Sequence, residues 1–325
     1  MFKKIILLCS VLLVFGATGI ALAQEATDTV VAVDQPAVQA TVQDEAITAQ
    51  ELDISEPTLL PYSKFYFLKN WKNAIQSVFT FGQVKKAELN LKIASEKLLE
   101  ARKLAEKTNN PKILNKATEL YQNKIEAVQK NIAKFKETAT TSVAVSKFLD
   151  KFTKQQILQE QILDKLASQV PASALEKIQQ VRERQLEQFG QVMQKLEDKD
   201  KIKARVEKGL DALKENDLKP LLNLQIIKKL EDKFPTSTLE QIKQAKTENL
   251  QKLNEKLQAM PAATQQKIEN YLDKAKTTIE KKQEMLNEIK NSLPTNSTLK
   301  QKMDIIKENL RQQNATTTAT SPINQ

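Results

Sequence analysis

The chain has 325 residues, with 50 Lys+Arg against 40 Asp+Glu, no histidine, one cysteine, five glycines and ten prolines. These counts exclude imidazole acid–base and nucleophile systems, His-ligated metals, an internal disulfide and glycine-rich phosphate loops. A charged fraction of 28% with 5% aromatics, rich in Lys, Glu, Gln, Leu and Ala, predicts an all-α fold: an elongated array of antiparallel helices with coiled-coil-like hairpins and no sheet.

At the start, Lys3 and Lys4 precede an apolar run from Ile5 to Phe15 broken only by Ser10, and Gly16 and Gly19 lead to Ala21-Leu22-Ala23. Basic, apolar and small-residue regions in that order form the secretory signal pattern. The pattern predicts loss of residues 1–23 by cleavage between Ala23 and Gln24, and a periplasmic, cell-surface or secreted location. The rival is a retained anchor, because Ile5 to Ala23 is 19 largely apolar residues, near the ~20 of a spanning helix. Lipidation of Cys9 fits poorly: Val11 to Phe15 continue the apolar run past it, and Leu8 is bulky. Cleavage removes the only cysteine, so the mature chain depends on no disulfide.

Residues 24–57 carry eight acids and no base among Ala, Val, Thr and Gln, without helical or strand period. Such a stretch buries too little apolar surface to offset its ordering entropy, and a disordered linker is expected. From residue 58 the balance reverses to 48 bases against 32 acids. A basic body suits anionic head groups, wall polymer or nucleic acid. Its bases alternate with acids, however, and the longest runs are pairs such as Lys85-Lys86, Lys228-Lys229 and Lys281-Lys282, the pattern of a solvated helical surface. Export argues against nucleic acid as a partner.

Seven of the sixteen aromatics lie in one short segment: Tyr62, Phe65, Tyr66, Phe67, Trp71, Phe79 and Phe81. Leu68, Trp71, Ile75 and Val78 step by three, four and three, sharing one face of a short helix that Phe81-Gly82 ends. Two readings compete for this cluster. Aromatics at helical spacing usually plug a core, and the first reading buries Trp71 against the rest of the bundle. The second is an interfacial membrane helix or a peptide-binding surface, because Lys64, Lys69 and Lys72 surround the aromatics. The core reading is the expectation.

The run Glu56-Pro57-Thr58-Leu59-Leu60-Pro61, then Phe65-Tyr66-Phe67-Leu68-Lys69-Asn70-Trp71, Phe79-Thr80-Phe81 and Lys86-Ala87-Glu88-Leu89, resembles a bacterial family known only as domain of unknown function 5667. Its members look like exported, Lys/Glu-rich helical proteins. The resemblance implies that architecture over a family-like domain at 58–141, and transfers no activity, cofactor or site residue.

Val84, Ala87, Leu91, Ala94, Leu98, Ala101 and Ala105 form a seam of coiled-coil type, and Leu114, Ala117, Tyr121, Ile125, Val128, Ile132, Phe135 and Ala139 continue the rhythm. Asn110 can cap the second helix, Pro111 suits its first turn, and the short connection predicts an antiparallel hairpin. Glu88 with Lys92 and Glu126 with Lys130 have the spacing of exposed pairs.

Residues 142–311 read as a degenerate helical array, with an apolar residue and proline recurring at Val170-Pro171, Phe234-Pro235, Met260-Pro261 and Leu293-Pro294. Ser173/Glu176 and Ser237/Glu240 have capping-box spacing. These starts fit either an old duplication or simply a favourable way to begin a helix. The polar tail 312–325 is expected to be disordered.

Little in the array suggests chemistry. Glu197-Asp198-Lys199-Asp200 lacks the glycine and the twelfth-position glutamate of a calcium loop, and Glu231-Asp232 lies among Lys228, Lys229 and Lys233. No catalytic, metal or cofactor-binding residue is assigned, and no cofactor is expected. Three functions remain: a structural or protein-binding module outside the cytoplasm, an envelope-associated protein binding anionic membrane or wall polymer, and a holdase-like chaperone. Membrane contact would be peripheral or through an uncleaved signal.

Overall fold

Local chemistry sets the helix starts. Asn110 accepts the Lys112 amide through Oδ1 at 3.0 Å, and Pro111 occupies the first helical position, where its missing N–H costs nothing. Ser142 likewise accepts the Val145 amide at 3.4 Å. The computed structural model describes residues 47–216, 218–259, 261, 279–292, 300–301, 303–304 and 307–308. The signal segment, its cleavage site and Cys9, residues 24–46, the Leu293-Pro294 start and the tail 312–325 lie outside the described residues.

The described helices are α1 (Tyr66–Phe79), α2 (Gln83–Ala105), α3 (Pro111–Ile132), α4 (Val143–Gln169), α5 (Ala172–Leu196), α6 (Ile202–Asp211), α7 (Lys219–Glu231), α8 (Thr236–Ala259) and α9 (Ile279–Ser292). No strand occurs among the described residues. The chain is all-α, as its composition predicts.

Helices α2, α3, α5 and α4 form a closed ring of neighbours: α2 packs on α3 and α4, and α5 packs on the same two. The two expected seams are the inner face of this bundle. Ala87, Leu91, Ala94, Leu98 and Ala101 of α2 are buried, as are Leu114, Ala117, Tyr121, Ile125, Val128 and Ile132 of α3. The alanines let α2 approach its neighbours closely. Outside the ring, α6 rests on α4, α7 and α8 pack together, and α8 also meets α6 and α9.

Two lateral files cross the bundle. Phe135, Phe148, Phe152, Phe189 and Phe234 run edge-to-face and stacked, with successive ring centroids 5.4 to 5.9 Å apart. Beside them runs a polar spine with a member from each helix of the ring. Gln159 donates to Ser95 Oγ at 2.9 Å, Tyr121 donates to Gln159 at 3.0 Å and also meets Gln185, and Gln185 donates to the Gln156 carbonyl at 3.2 Å. Buried amides satisfied in this way fix the register of the four helices, because any slip strands a polar group.

Salt bridges add the outer helices. Arg182 of α5 and Lys229 of α7 converge on Glu160 and Asp164 of α4, with Arg182 2.6 Å from each acid and Lys229 at 2.9 and 3.1 Å. Arg205 of α6 pairs with Asp150 and Glu197, and Lys208 reaches Asp150 at 2.8 Å. Gly209 permits this approach of α6: a Cβ there would lie 2.6 Å from Ile157 Cδ1 and 2.8 Å from Thr153 Cγ2.

Three sequence expectations are corrected. Residues 47–57 belong to the folded body and are not part of a disordered linker. Leu52 has no exposed surface, Ile47, Ala49, Ile54 and Leu60 join the core, and the Leu52 carbonyl accepts from Gln155 at 2.9 Å. Isolated apolar residues within the acidic stretch find a groove, although no period announces them. Second, Ser173 and Ser237 cap nothing: α5 begins at Ala172 and α8 at Thr236, with the Pro171 and Pro235 carbonyls accepting the Ala174 and Thr238 amides at 2.9 Å. Third, Glu126 pairs across to Arg184 of α5 at 2.8 Å instead of along its own helix to Lys130.

Candidate functional site

Helix α1 carries two stripes. Phe67, Leu68, Trp71, Ala74, Ile75, Val78 and Phe79 occupy one arc at steps of one, three and four; Tyr66, Lys69, Asn73 and Gln76 occupy the opposite arc. An amphipathic helix ordinarily turns its apolar arc to the core. Here the orientation is reversed. Tyr66 and Asn73 are the buried residues of α1, whereas Trp71 is 69% exposed, and Phe67, Leu68, Ile75, Val78 and Phe79 are exposed with it.

This overturns the core reading of the aromatic cluster. Of the seven aromatics, only Tyr66 is buried; Tyr62, Phe65, Phe67, Trp71, Phe79 and Phe81 form an outward strip. The reason lies in what α1 meets. The surface of α2 beneath it presents Glu96, Lys97 and Glu100, which a tyrosine and a lysine can satisfy and a tryptophan cannot. Ile47, Leu52, Ile54 and Leu60, from the segment before α1, join the core cluster, to which α1 itself contributes nothing.

The latch is centred on Glu100, which is fully buried. The Tyr66 hydroxyl donates to Glu100 Oε2, Lys97 donates to the Tyr66 hydroxyl, and the Lys97 ammonium lies 4.4 Å from the tyrosine ring centroid. Lys69 pairs with Glu100 at 2.6 Å and with Glu96 at 3.2 Å, and Lys97 reaches Glu100 at 3.4 Å. Burial pulls the Lys69 ammonium down, but Glu100 and Glu96 outweigh it and raise its pKa. For Lys97 burial wins, helped by the neighbouring Lys69 charge, and its pKa is lowered despite Glu100. Burial, together with hydrogen bonding to Glu100, raises the Tyr66 phenol and keeps it neutral. Charge holds this helix on the bundle.

The outward strip is large. Nine apolar side chains from Tyr62 to Phe81 are exposed, on the order of 1,000 Å² together, where the largest patch on a typical monomer is about 300–600 Å². The segment that carries it is charged with one sign: five lysines and no acid lie between Glu56 and Glu88 in the sequence. Lys64, Lys72 and Lys85 are exposed and form no ion pair among the described residues. Gly82, at φ +84°, turns the chain from the strip into α2.

The acids singled out in the array, Glu197, Asp198 and Glu231, are engaged within the fold. Glu197 holds Arg205, Asp198 accepts the Asp200 amide at 3.3 Å within the 3₁₀ turn Lys199–Lys201, and Glu231 pairs with Lys246. A cleft of about 230 Å³ among α6, α7 and α8 is lined by acids and lysines that pair with one another, Glu215 with Lys219 and Lys256 at 3.0 Å each. Among the described residues no group of three or more His, Cys, Asp or Glu could hold a metal ion, and no helix is long and apolar enough to cross a membrane.

No curated protein matches the chain. One similar solved structure comes from a computational design of self-assembling cyclic protein homooligomers, at 14% identity and a TM-score of 0.33, covering 74% of this chain and 88% of that one; likeness at that level has no bearing on function. Residues 58–261 match the family described as "Domain of unknown function (DUF5667)". That span begins at the aromatic strip and its latch, runs through the four-helix ring and ends after α8, so the chain belongs to the DUF5667 family.

Proposed function

We propose that this chain is a non-enzymatic docking module that works outside the cytoplasm, a four-helix body presenting the aromatic helix α1 as its binding surface. The observation that carries this reading is the reversal of α1. A helix whose apolar arc faces water while its polar arc is held by a buried carboxylate is stable as an isolated chain only at the cost of an exposed strip, and covering that strip removes apolar surface from water. The signal pattern of residues 1–23 supports action after export, and the absence of histidine, with acids engaged in helix-to-helix pairs, supports a role without catalysis.

Fractionation of the producing cell tests the docking role. The native chain is expected to remain with the envelope, and F67S/W71S/V78S to leave it while retaining helix content and melting temperature, because those side chains contact solvent. A triple variant that fractionates like the parent contradicts the proposal. So does one that unfolds, since the strip would then be part of the core.

A further inference from the structure

We infer that the surface covered by α1 is the head-group layer of an anionic lipid bilayer, with the aromatic strip lying in the interface and the four-helix body held above it. The inference rests on the docking reading and names its partner.

Three observations converge on lipid. The first is shape. The strip is a convex line on a 14-residue helix, about 21 Å long, and exposed Tyr62 and Phe65 precede it in the chain and exposed Phe81 follows it. The latch supplies the second. An interfacial helix must keep its polar arc out of the acyl layer. Here Tyr66 and Lys69 keep that arc satisfied on Glu100 and Glu96, so α1 can press its apolar arc into the interface without breaking a hydrogen bond. Third is residue type and charge. Trp and Tyr settle at head-group depth, Phe and Leu fill the apolar face of interfacial helices, and Lys64, Lys72 and Lys85, near them in sequence, have long stems that let the ammonium reach lipid phosphates while the strip goes deeper.

Charge also separates lipid from the next occupant, a second copy of this chain. A two-fold contact through α1 would bring each copy's Lys64, Lys72 and Lys85 against the same residues of its mate, with no acid between Glu56 and Glu88 to relieve them. An anionic bilayer neutralises all of these charges at once. Near such a surface each lysine strengthens partitioning about five-fold.

The test uses purified protein beginning at Gln24, which removes the apolar run Ile5 to Phe15 and leaves the folded unit intact. It is mixed with vesicles of pure phosphatidylcholine or of phosphatidylcholine with phosphatidylglycerol, and read by co-sedimentation and by Trp71 emission. The inference predicts binding to the anionic vesicles with a blue shift of Trp71, weakening steeply from low to physiological salt. K64Q/K72Q/K85Q should bind about a hundredfold more weakly with unchanged melting. Equal binding to neutral vesicles overturns it. If vesicles have no effect while acrylamide quenches Trp71 freely in buffer, lipid is overturned and the docking face stands. Trp71 already shielded in buffer, with concentration-dependent sedimentation, would assign the strip to a second copy and overturn lipid while α1 remains the docking face.

Discussion

Replacing Glu100 by glutamine removes the charge of the latch and keeps its shape. Glu100 is fully buried and pairs with Lys69 at 2.6 Å and Lys97 at 3.4 Å. The variant leaves the Lys97 ammonium beside an amide and Lys69 with Glu96 alone at 3.2 Å, at a cost of about 2–3 kcal/mol. That cost need not reach the whole protein. If α1 lifts, Lys69 and Lys97 hydrate, so the loss is limited to the docking energy of one helix. The expected outcome is local: amide hydrogen exchange accelerates about 30- to 150-fold across residues 66–79, while protection in the four-helix ring stays within a factor of a few. Unchanged protection in α1 would refute the latch. Loss of protection throughout the ring would show instead that α1 is integral to the core.

Three further outcomes follow from the packing and the termini. Gly209→Val should lower stability by about 2 kcal/mol, because the new side chain meets Ile157 and the stiff Thr153, and calorimetry should record a fall of about 4–8 °C. Burial opposes ionisation of Asp164, but Lys229 and Arg182 outweigh it and hold its pKa at about 2, against an unfolded value of 3.8. A lowered carboxylate pKa adds stability above the unfolded value, so an increment on the order of 1 kcal/mol for this partly exposed group should disappear as pH falls from 4 towards 2. Asp164→Asn should flatten that part of the pH–stability profile. Intact mass of the exported protein should correspond to a chain starting at Gln24; retention of Met1 to Ala23 would favour the anchor.

Helices α2 and α3 were legible because their signals are redundant, whereas the closing of α4 and α5 into a ring with them was not. The α2 and α3 seams repeat through six turns each, and Asn110-Pro111 marks a start that no alternative conformation uses well. The orientation of α1 was not legible by the same rule. Its apolar arc has the spacing of a core stripe, and the rule that such a stripe faces inward assumes an apolar surface waiting for it. That surface belongs to α2, where Glu96, Lys97 and Glu100 lie on the side left over after α3 and α4 are packed. The complementary stripe Tyr66, Lys69, Asn73 was the available clue, together with the lack of any acid between Glu56 and Glu88. Residues 47–57 failed for a related reason. Composition averages over the segment, while binding depends on a few side chains, and Leu52 is fully buried although eight acids surround it in the sequence between 24 and 57. The prolines before α5 and α8 mark both starts, but the cap is the proline carbonyl and not the serine two residues on.

The orientation of α1 is tested most directly by acrylamide quenching of Trp71, the only tryptophan, in dilute buffer without lipid. With Trp71 69% exposed, emission should be red-shifted and quenching close to that of a free indole in a peptide, and Trp71→Ala should change stability by no more than about 0.5 kcal/mol. Blue-shifted, poorly quenched emission in the monomer, with a loss of about 3–5 kcal/mol on truncation, would place the aromatic arc inside the bundle and contradict the account.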